Sequence, residues 1–242
     1  MNNIYDDEIF FEKYSQMARS KYGLQAAGEW HQLKELFPDL TNKTILDLGC
    51  GYGWHCKYAT DKGCKKVIGI DISEKMISKA KKINNDPKIE YRVCSIHDYD
   101  YPEDYYDIVI SNLVLHYIED LDVIYKKVYT TLKKEGSFIF NIEHPTFTSG
   151  INQDWIYDSD NNPLYWPIDN YYLPGKRTTN FLDYKVEKYH HTLTQIVMGL
   201  IDIGFNIDAL IEAKPSKDML ELPYMKDELR RPMMLLVKAT KK

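Results

Sequence analysis

Between residues 43 and 143, short apolar runs alternate with helical segments, and this alternation restricts the possible folds more than any other feature of the chain. Strands are predicted at 44–48, 66–70, 88–94, 107–111 and 137–142, separated by amphipathic helical segments. Strands that alternate with helices form right-handed βαβ units, which build a parallel sheet with helices on both faces. The pattern therefore predicts an α/β protein with a Rossmann-like sheet.

The flanking segments have a different character, and they divide the chain into four parts. Helical spacing of apolar residues from 5 to 37 predicts an N-terminal helical cap, residues 1–40, ahead of an α/β core, residues 41–144. Residues 145–189 are rich in aromatic residues and turn formers, and a loop-rich segment of this length usually forms a lid or a substrate wall. Residues 190–242 return to the α/β pattern and complete the core.

Charge, hydropathy and cysteine spacing narrow the class of protein. The formal net charge of −5 argues against a nucleic-acid partner, because domains that bind a nucleic-acid backbone carry a basic face. The first residues lack a secretory pattern, and no stretch reaches the roughly 18 apolar residues of a membrane helix. The four cysteines form no CxxC pair, so we expect neither a metal site nor disulfide bonds. These observations predict a cytoplasmic protein that does not bind membranes, and they leave open whether it is a homodimer.

A glycine-rich turn after the first predicted strand carries the strongest functional signal. The run Ile45-Leu-Asp-Leu-Gly-Cys-Gly-Tyr-Gly53 places Gly49, Gly51 and Gly53 where the backbone can turn tightly and approach a ligand. A dinucleotide-binding turn has the spacing GxGxxG, whereas the spacing here is GxGxG. Asp47 lies just before the turn, where a carboxylate suits a ligand with a cationic amine and opposes a pyrophosphate.

A second acidic residue, Asp71, follows the second predicted strand about 20 residues after the turn. A carboxylate at this place can accept hydrogen bonds from both hydroxyls of a ribose. An aspartate after a strand is also a common helix cap. The combination of Asp47, the glycine turn and Asp71 favours the ribose role.

On these residues the chain resembles the class I S-adenosylmethionine (SAM)-dependent methyltransferases, over about residues 40–142 and again over the last helix and strands. It looks most similar to the small-molecule methyltransferases related to quinone-biosynthesis enzymes. The resemblance implies a seven-stranded sheet with an antiparallel last strand and SAM as the cofactor. It also implies transfer of a methyl group to an oxygen, nitrogen or carbon atom of a small-molecule acceptor.

The same resemblance implies roles for individual residues. Asp47 would orient the methionine part of SAM, and the segment from Gly49 through Cys50 to Gly53 would line it. Asp71 would hold the ribose. Contacts with the adenine or the amino group are implied for residues that follow the second, third and fourth strands, namely Ile72, Ser95, Ile96, Asn112 and Leu113. Ser95 departs from the aspartate that is usual at its position in the family, while the backbone of Ile96 could still contact the adenine.

Histidines after the strands are candidates for catalytic proton transfer. His116 follows the fourth strand, His144 follows the fifth, and His190 and His191 precede a later helix. Ligands of open α/β sheets bind beyond the carboxyl ends of the strands, which puts His116 and His144 near the methyl group. A histidine that titrates near neutral pH can deprotonate an attacking hydroxyl. The alternative is that each histidine only packs and hydrogen-bonds to the backbone.

Two groups of residues are candidates for walls of the site. Aromatic residues of the insertion could enclose the acceptor, and an arginine there could pair with an anionic group on it, or they could form the core of the insertion itself: Trp155, Trp166, Tyr171, Tyr172 and Arg177. Residues of the N-terminal helix could contact the bound cofactor or could serve only its packing: Tyr14, Met17 and Arg19.

Three other functions stay open. A methyltransferase acting on RNA or protein predicts a basic surface or a recognition domain, and the run Ser111-Asn-Leu-Val-Leu-His116 lacks the (Asn/Asp)-Pro-Pro-aromatic motif of enzymes that methylate nucleobases or glutamine. A non-catalytic SAM-binding module predicts a degraded glycine turn or a missing ribose carboxylate. An NAD enzyme predicts a higher affinity for a nicotinamide nucleotide than for SAM.

Overall fold

The computed structural model describes residues 3–222 and 225–242, and a seven-stranded mixed sheet lies at the centre of these residues. Its strands are β1 Thr44–Leu48, β2 Lys66–Asp71, β3 Ile89–Val93, β4 Tyr106–Asn112, β5 Leu132–Glu143, β10 Phe205–Glu212 and β11 Met234–Lys241. Two hairpins outside the sheet contain β6 Ile156–Tyr157, β7 Pro163–Tyr165, β8 Gly175–Phe181 and β9 Tyr184–His190. The α-helices are α1 Glu8–Gln16, α2 Ala18–Tyr22, α3 Trp30–Leu33, α4 Trp54–Asp61, α5 Glu74–Ile83, α6 Leu121–Thr131, α7 Pro145–Thr148 and α8 Leu193–Ile203.

The order of the strands in space is β10-β11-β5-β4-β1-β2-β3. Strands β1 to β5 pair in parallel, and β11 is antiparallel to both β5 and β10. The predicted α/β class, the Rossmann-like sheet and the antiparallel last strand are therefore confirmed. One apolar cluster lies on each face of the sheet, and every residue of β1 is buried, as expected for a central parallel strand.

The predicted elements differ from the structure at a few boundaries. The N-terminal helical segment is broken into short helices, because Met17 is extended and Gly23 has a φ of 68°. Strand β5 begins at Leu132, directly after α6, whereas Gly136 was expected to separate the helix from the strand. The aromatic insertion contains α7 and both hairpins rather than a continuous loop.

The topology determines where a ligand can bind. Strand β1 is flanked by β2 on one side and β4 on the other, so the chain leaves β1 in one direction and later returns on its other side. This reversal creates a crevice beyond the carboxyl ends of the strands, which is the usual ligand site of such sheets. The first residues of α4 and α5 border this crevice, and Ser73 caps α5 by accepting a hydrogen bond from the Met76 N–H at 3.1 Å.

Candidate active site

A cleft of about 2630 Å³ opens at the carboxyl ends of β1 to β5. The N-terminal segment borders it on one side and the β8–β9 hairpin on the other. The N-terminal segment and the hairpin contact each other. Phe10 of α1 packs edge-to-face on Phe181 and Tyr184 of the hairpin, and Lys13 pairs with Asp183 at 2.8 Å. Residues of the N-terminal segment and of the β8–β9 hairpin therefore enclose the ends of the central strands.

The backbone N–H groups of the glycine turn are used within the protein. The N–H groups of Gly49 and Cys50 both donate to the carbonyl of Ile70 at 2.8 Å, and that of Gly53 donates to the carbonyl of Cys50 at 2.8 Å. The Gly51 N–H donates to the Asp71 carboxylate at 2.9 Å. A pyrophosphate needs free N–H groups at such a turn, and these four are already bonded, which disfavours a dinucleotide.

Two glycines of the turn are required for different reasons. Gly49 has a φ of +74°, and a Cβ there would lie 2.2 Å from the side chain of Val114. Gly51 has a φ of +52°, and a Cβ there would meet no described atom within 4 Å. Gly51 lines the cleft, so the missing side chain leaves room for a ligand to lie directly on the backbone.

Asp47 is buried beneath the turn, and neither Asp47 nor Gly53 is among the described residues that line the cleft. Its Oδ2 accepts a hydrogen bond from the Cys56 thiol at 3.3 Å, and its Oδ1 has no hydrogen-bond partner in the described parts of the chain. Burial raises the pKa of Asp47 to about 7. A buried carboxylate oxygen without a donor is costly to maintain, and a ligand with a cationic amine close to the turn would offset that cost.

Asp71 lies at the end of β2 and faces the turn. Its Oδ1 accepts the Ser73 N–H and its Oδ2 accepts the Gly51 N–H, both at 2.9 Å. Each oxygen keeps further lone pairs, so the carboxylate can accept two hydroxyl hydrogens as well. Burial raises the pKa of Asp71 to about 6.

An apolar slot for a flat ring lies next to Asp71. Ile72, directly after β2, and Val93, at the end of the edge strand β3, border the cleft, and each is 51% exposed. Ile96 lines the same slot, and its carbonyl accepts a hydrogen bond from the Tyr101 hydroxyl at 2.8 Å. Ser95 accepts the His97 N–H and also borders the cleft, as does Asp98, which the sequence analysis did not identify.

Asn112 and Leu113 lie at the reversal point between β4 and β1. Leu113 has a φ of 57°, which is uncommon for a leucine, and its N–H donates to the Asn141 carbonyl at 2.8 Å. The Asn141 amide donates to the side chains of Asn112 at 3.0 Å and Glu29 at 3.2 Å. Strained non-glycine backbone of this kind is concentrated at ligand sites.

The N-terminal helices bring an arginine to the same place. The Nη2 atom of Arg19 donates to both carboxylate oxygens of the buried Glu29, at 3.0 and 2.9 Å, and Arg19 lines the cleft. Tyr14 also lines the cleft and packs edge-to-face against Tyr5 and Tyr52. The cap thus contributes both charged and aromatic groups to the wall above the glycine turn.

The predicted histidines do not come together. His116 and His191 line the cleft, whereas His144 and His190 are not among the described residues that do. His116 accepts the Glu143 N–H through Nδ1 at 3.5 Å, and burial lowers its pKa to about 4, so the ring is neutral at pH 7. The Nε2 atom of His191 bonds to the Ile118 carbonyl at 2.8 Å.

His144 and His190 have partners outside the cleft. His144 caps α7 by accepting the Thr146 N–H through Nδ1 at 3.0 Å. His190 is fully buried and bonds through both ring nitrogens, to the Thr148 hydroxyl at 2.6 Å and the Tyr171 carbonyl at 2.9 Å. Burial lowers the pKa of both histidines.

The aromatic residues of the insertion pack mainly against one another. The guanidinium of Arg231 lies 4.2 Å from the ring centre of Trp166, 4.8 Å from that of Phe147 and 5.3 Å from that of Trp155. Tyr171 packs on His190, whereas Tyr172 is 86% exposed. Of the residues predicted for an acceptor wall, Trp155, Trp166, Tyr171, Tyr172 and Arg177, none is among the described residues that line the cleft.

Sequence reasoning missed a polar cluster at the cleft. Glu143, Lys188 and Gln153 all line it, and Lys188 is buried although it carries a charge. Glu143 ends β5 as Asp71 ends β2, and this shared position at the carboxyl edge of the sheet was the available signal. Lys188 and Gln153 lie in the insertion and carried no pattern that pointed to the cleft.

Residues 3–222 and 225–242 contain no group of three or more histidine, cysteine, aspartate or glutamate side chains arranged to hold a metal ion. All four cysteines are free thiols. No helix among the described residues combines the length and the apolar character needed to cross a bilayer.

Two solved structures are similar to this chain over nearly their whole length and about nine-tenths of this chain. A structure from Listeria monocytogenes, assigned to the SAM-dependent methyltransferases, is 50% identical, has a TM-score of 0.87, and covers 91% of this chain and 99% of its own. A SAM-dependent methyltransferase from Mesorhizobium loti is 36% identical with a TM-score of 0.83, covering 90% of this chain and 100% of its own. A family model described as a methyltransferase domain matches residues 46–140.

Curated relatives add both a full-length match and partial ones. An uncharacterized Haemophilus influenzae protein is 30% identical over 100% of this chain and 99% of its own length. A malonyl-[acyl-carrier protein] O-methyltransferase of Acetivibrio thermocellus is 30% identical over 59% of this chain and 50% of its own length. A phosphoethanolamine N-methyltransferase of Plasmodium falciparum is 29% identical over 57% of this chain and 53% of its own length. The chain spans about half the length of these last two relatives.

Proposed function

Because the chain belongs to the class I SAM-dependent methyltransferases, we propose that it methylates a small-molecule acceptor bound over the carboxyl ends of β4 and β5. The observation that carries the proposal is that the cleft extends beyond the expected cofactor residues. The cofactor residues surround the ends of β1, β2 and β3. The same cleft is also lined by Asn112 and Glu143, at the ends of β4 and β5, and by residues of the β8–β9 hairpin. That region is where an acceptor has room to bind.

The residues around β1 and β2 fit SAM. Asp71 has free lone pairs for both ribose hydroxyls, Gly51 leaves open space on the backbone, and Asp47 has an unpartnered oxygen for the amine side, as far as the described residues show. Ile72 and Ile96 would enclose the adenine, with Ser95 and Asp98 at its edge. Arg19 is placed to pair with the carboxylate of the methionine part. When bound, SAM supplies a methyl group already activated on a sulfonium.

The contribution of the protein to the reaction is then mainly orientation and exclusion of water. Holding two reactants in line is worth roughly 7–11 kcal/mol of the barrier. The Tyr5 and Tyr117 hydroxyls are 2.9 Å apart beside the cleft, and Phe181 and Val186 of the hairpin line it from above. These side chains would enclose a body that is aromatic or apolar.

Among the predicted catalytic histidines, we assign contact with the acceptor to His116. Since Nδ1 of His116 accepts the Glu143 N–H, its ring proton lies on Nε2, which faces Glu143 Oε1 at 3.9 Å. His116 would therefore orient the nucleophile by donating a hydrogen bond. His144 and His190 would support the insertion that covers the site.

The proposal is tested by incubating the purified protein with metabolite extracts and methyl-labelled SAM, and by identifying labelled products by mass. We expect a labelled small molecule together with S-adenosylhomocysteine. Asp71→Ala, assayed in parallel at the same SAM concentration, should strongly reduce the label, which would show that formation of the product depends on this site. Label that enters only RNA or protein would contradict the small-molecule assignment while leaving the family unchanged.

A further inference from the structure

A buried polar cluster of Glu143, Lys188 and Gln153 lies in the part of the cleft that the proposed function assigns to the acceptor. The Nζ atom of Lys188 donates to Glu143 Oε1 at 2.5 Å and to Gln153 Oε1 at 3.5 Å. The side chains of Glu143 and Lys188 are only 10% and 6% exposed. We refer to these three residues as the acceptor cluster.

Each end of the acceptor cluster has an unused polar atom. Glu143 Oε2 and Gln153 Nε2 are both buried, and neither has a hydrogen-bond partner among residues 3–222 and 225–242. Lysine can only donate, so the amide oxygen of Gln153 must face Lys188 and the NH₂ group must point elsewhere. The cluster therefore offers one hydrogen-bond acceptor and one donor. Both residues line the cleft.

The backbone beneath Gln153 is strained. Asn152 and Gln153 have φ values of 56° and 51°, so two successive residues other than glycine adopt the left-handed region. Such strain persists where the surrounding structure holds a side chain in a needed place. Here it holds the Gln153 amide against Lys188 and beside the cleft.

The charges of the acceptor cluster cancel. Glu143 is negative and Lys188 positive, and the neighbouring His116 is neutral, because its burial opposes protonation. A charged ligand group placed here would bring an uncompensated charge into a buried site, which is strongly unfavourable. A neutral group with a donor beside an acceptor would satisfy both unused atoms.

We propose that the acceptor cluster binds an uncharged group that presents a hydrogen-bond donor next to an acceptor, as a carboxamide does, and that it discriminates against anionic and cationic groups. This rests on the proposed location of the acceptor. Glu143 accepts from the donor of that group, Gln153 donates to its oxygen, and Lys188 fixes the position of both. The rings of Phe181 and Phe147, which also line the cleft, contact the rest of the molecule.

The experiment compares four probes with one scaffold: benzamide, benzoate, benzylamine and toluene. Their dissociation constants are measured by ligand-observed NMR on the full chain saturated with S-adenosylhomocysteine. We expect benzamide to bind at least fivefold more tightly than each of the others. Glu143→Gln leaves Lys188 without its counter-charge, so benzoate should become the preferred probe by at least fivefold. Lys188→Met leaves Glu143 unpaired and should favour benzylamine in the same way.

A matched control comes from the same hairpin. Lys176 pairs with Glu187 at 2.7 Å, but both side chains are more than half exposed. Lys176→Met should leave the order of the four probes unchanged. If Lys188→Met does not fold, the isosteric Glu143→Gln decides alone.

The outcomes separate this inference from the proposed function. Failure of the wild-type protein to bind S-adenosylhomocysteine would overturn the proposed function. Binding of S-adenosylhomocysteine, together with no measurable binding of benzamide or with a probe order that Glu143→Gln does not change, would overturn the present inference alone.

Discussion

The backbone N–H of Gly51 donates to Oδ2 of Asp71 at 2.9 Å, so the two sequence features that most strongly indicated a cofactor are in direct contact. Ser73 holds the other carboxylate oxygen. The carboxylate is therefore fixed in orientation by the turn on one side and by the start of α5 on the other. This explains how residues 20 positions apart act as one site.

Replacing Asp71 should weaken cofactor binding strongly. Asp71→Ala removes the acceptor for both ribose hydroxyls and frees the Gly51 N–H, so we expect the dissociation constant of S-adenosylhomocysteine to rise at least tenfold by calorimetry. Asp86→Ala is the matched control, because Asp86 also accepts a backbone N–H, that of Lys88 at 2.9 Å, but lies outside the cleft. Equal affinities in the wild type and Asp71→Ala would remove the ribose assignment.

A methyl group at residue 51 should compete with the cofactor for space. Gly51→Ala places a Cβ in the open part of the cleft, so S-adenosylhomocysteine binding should fall at least tenfold. Gly175→Ala provides the comparison, since Gly175 also has a positive φ, of +122°, and open space around it. Both variants should lose some stability because of backbone strain, and only Gly51→Ala should lose binding. Unimpaired binding in Gly51→Ala would show that the ligand does not lie on the turn.

Asp47 should lower the free energy of unfolding of the protein when no ligand is bound. Burial raises its pKa to about 7, whereas an unfolded aspartate titrates near pH ~4. The folded state therefore holds more protons between these values, and its stability falls as the pH rises from about 4 to 7. Asp47→Asn should increase the free energy of unfolding at pH 8 by up to about 4 kcal/mol, with little gain near pH ~4.

Urea unfolding at pH 8 and pH 5 checks this expectation for Asp47. The same variant should bind S-adenosylhomocysteine more weakly at pH 8, because the amide cannot compensate the cationic amine. A variant that is less stable than the wild type at pH 8 would show that the carboxylate is stabilised by groups other than the ligand.

Cofactor affinity should depend on pH. The pKa values of Asp47 and Asp71 are raised by burial to about 7 and about 6, and the ionised forms are the ones that fit the amine and the ribose hydroxyls. Affinity for S-adenosylhomocysteine should therefore be constant above pH ~7.5 and decrease progressively below pH ~7. Calorimetry from pH 5 to 8 measures the profile. Asp71→Asn should lack the decrease near pH 6, and a flat wild-type profile would contradict the assignment of both carboxylates.

His190 should be required for stability rather than for binding. It is fully buried and uses both ring nitrogens, so His190→Ala should cost about 2–4 kcal/mol of unfolding free energy through lost hydrogen bonds and a cavity. The affinity for S-adenosylhomocysteine should change by less than about twofold, because His190 is not among the described residues that line the cleft. Turnover lost at full stability would instead restore His190 as a catalytic candidate.

His116→Gln should show the opposite pattern, with the free energy of unfolding nearly unchanged and the turnover rate reduced.

The sequence by itself determined the sheet and the glycine turn, and it placed Asp47 and Asp71 at the carboxyl ends of the first two strands. These features depend on spacing within a single βαβ unit, where the strand, turn and helix periods fix which residues meet at the carboxyl edge. The parallel direction of successive strands was equally local, whereas their order in the sheet was not predicted.

Only the tertiary structure decided which side chains line the cleft beyond the ends of β4 and β5, where we propose that the acceptor binds. Glu143 meets Lys188 across 45 residues and Lys188 meets Gln153 across 35, and no local period relates positions so far apart. Arg231 likewise packs against Trp155 and Trp166 from the far end of the chain, and these aromatic residues belong to the core of the insertion rather than to a wall of the cleft. Histidine roles were undecided for the same reason, because the direction of a side chain after a strand depends on what packs against it.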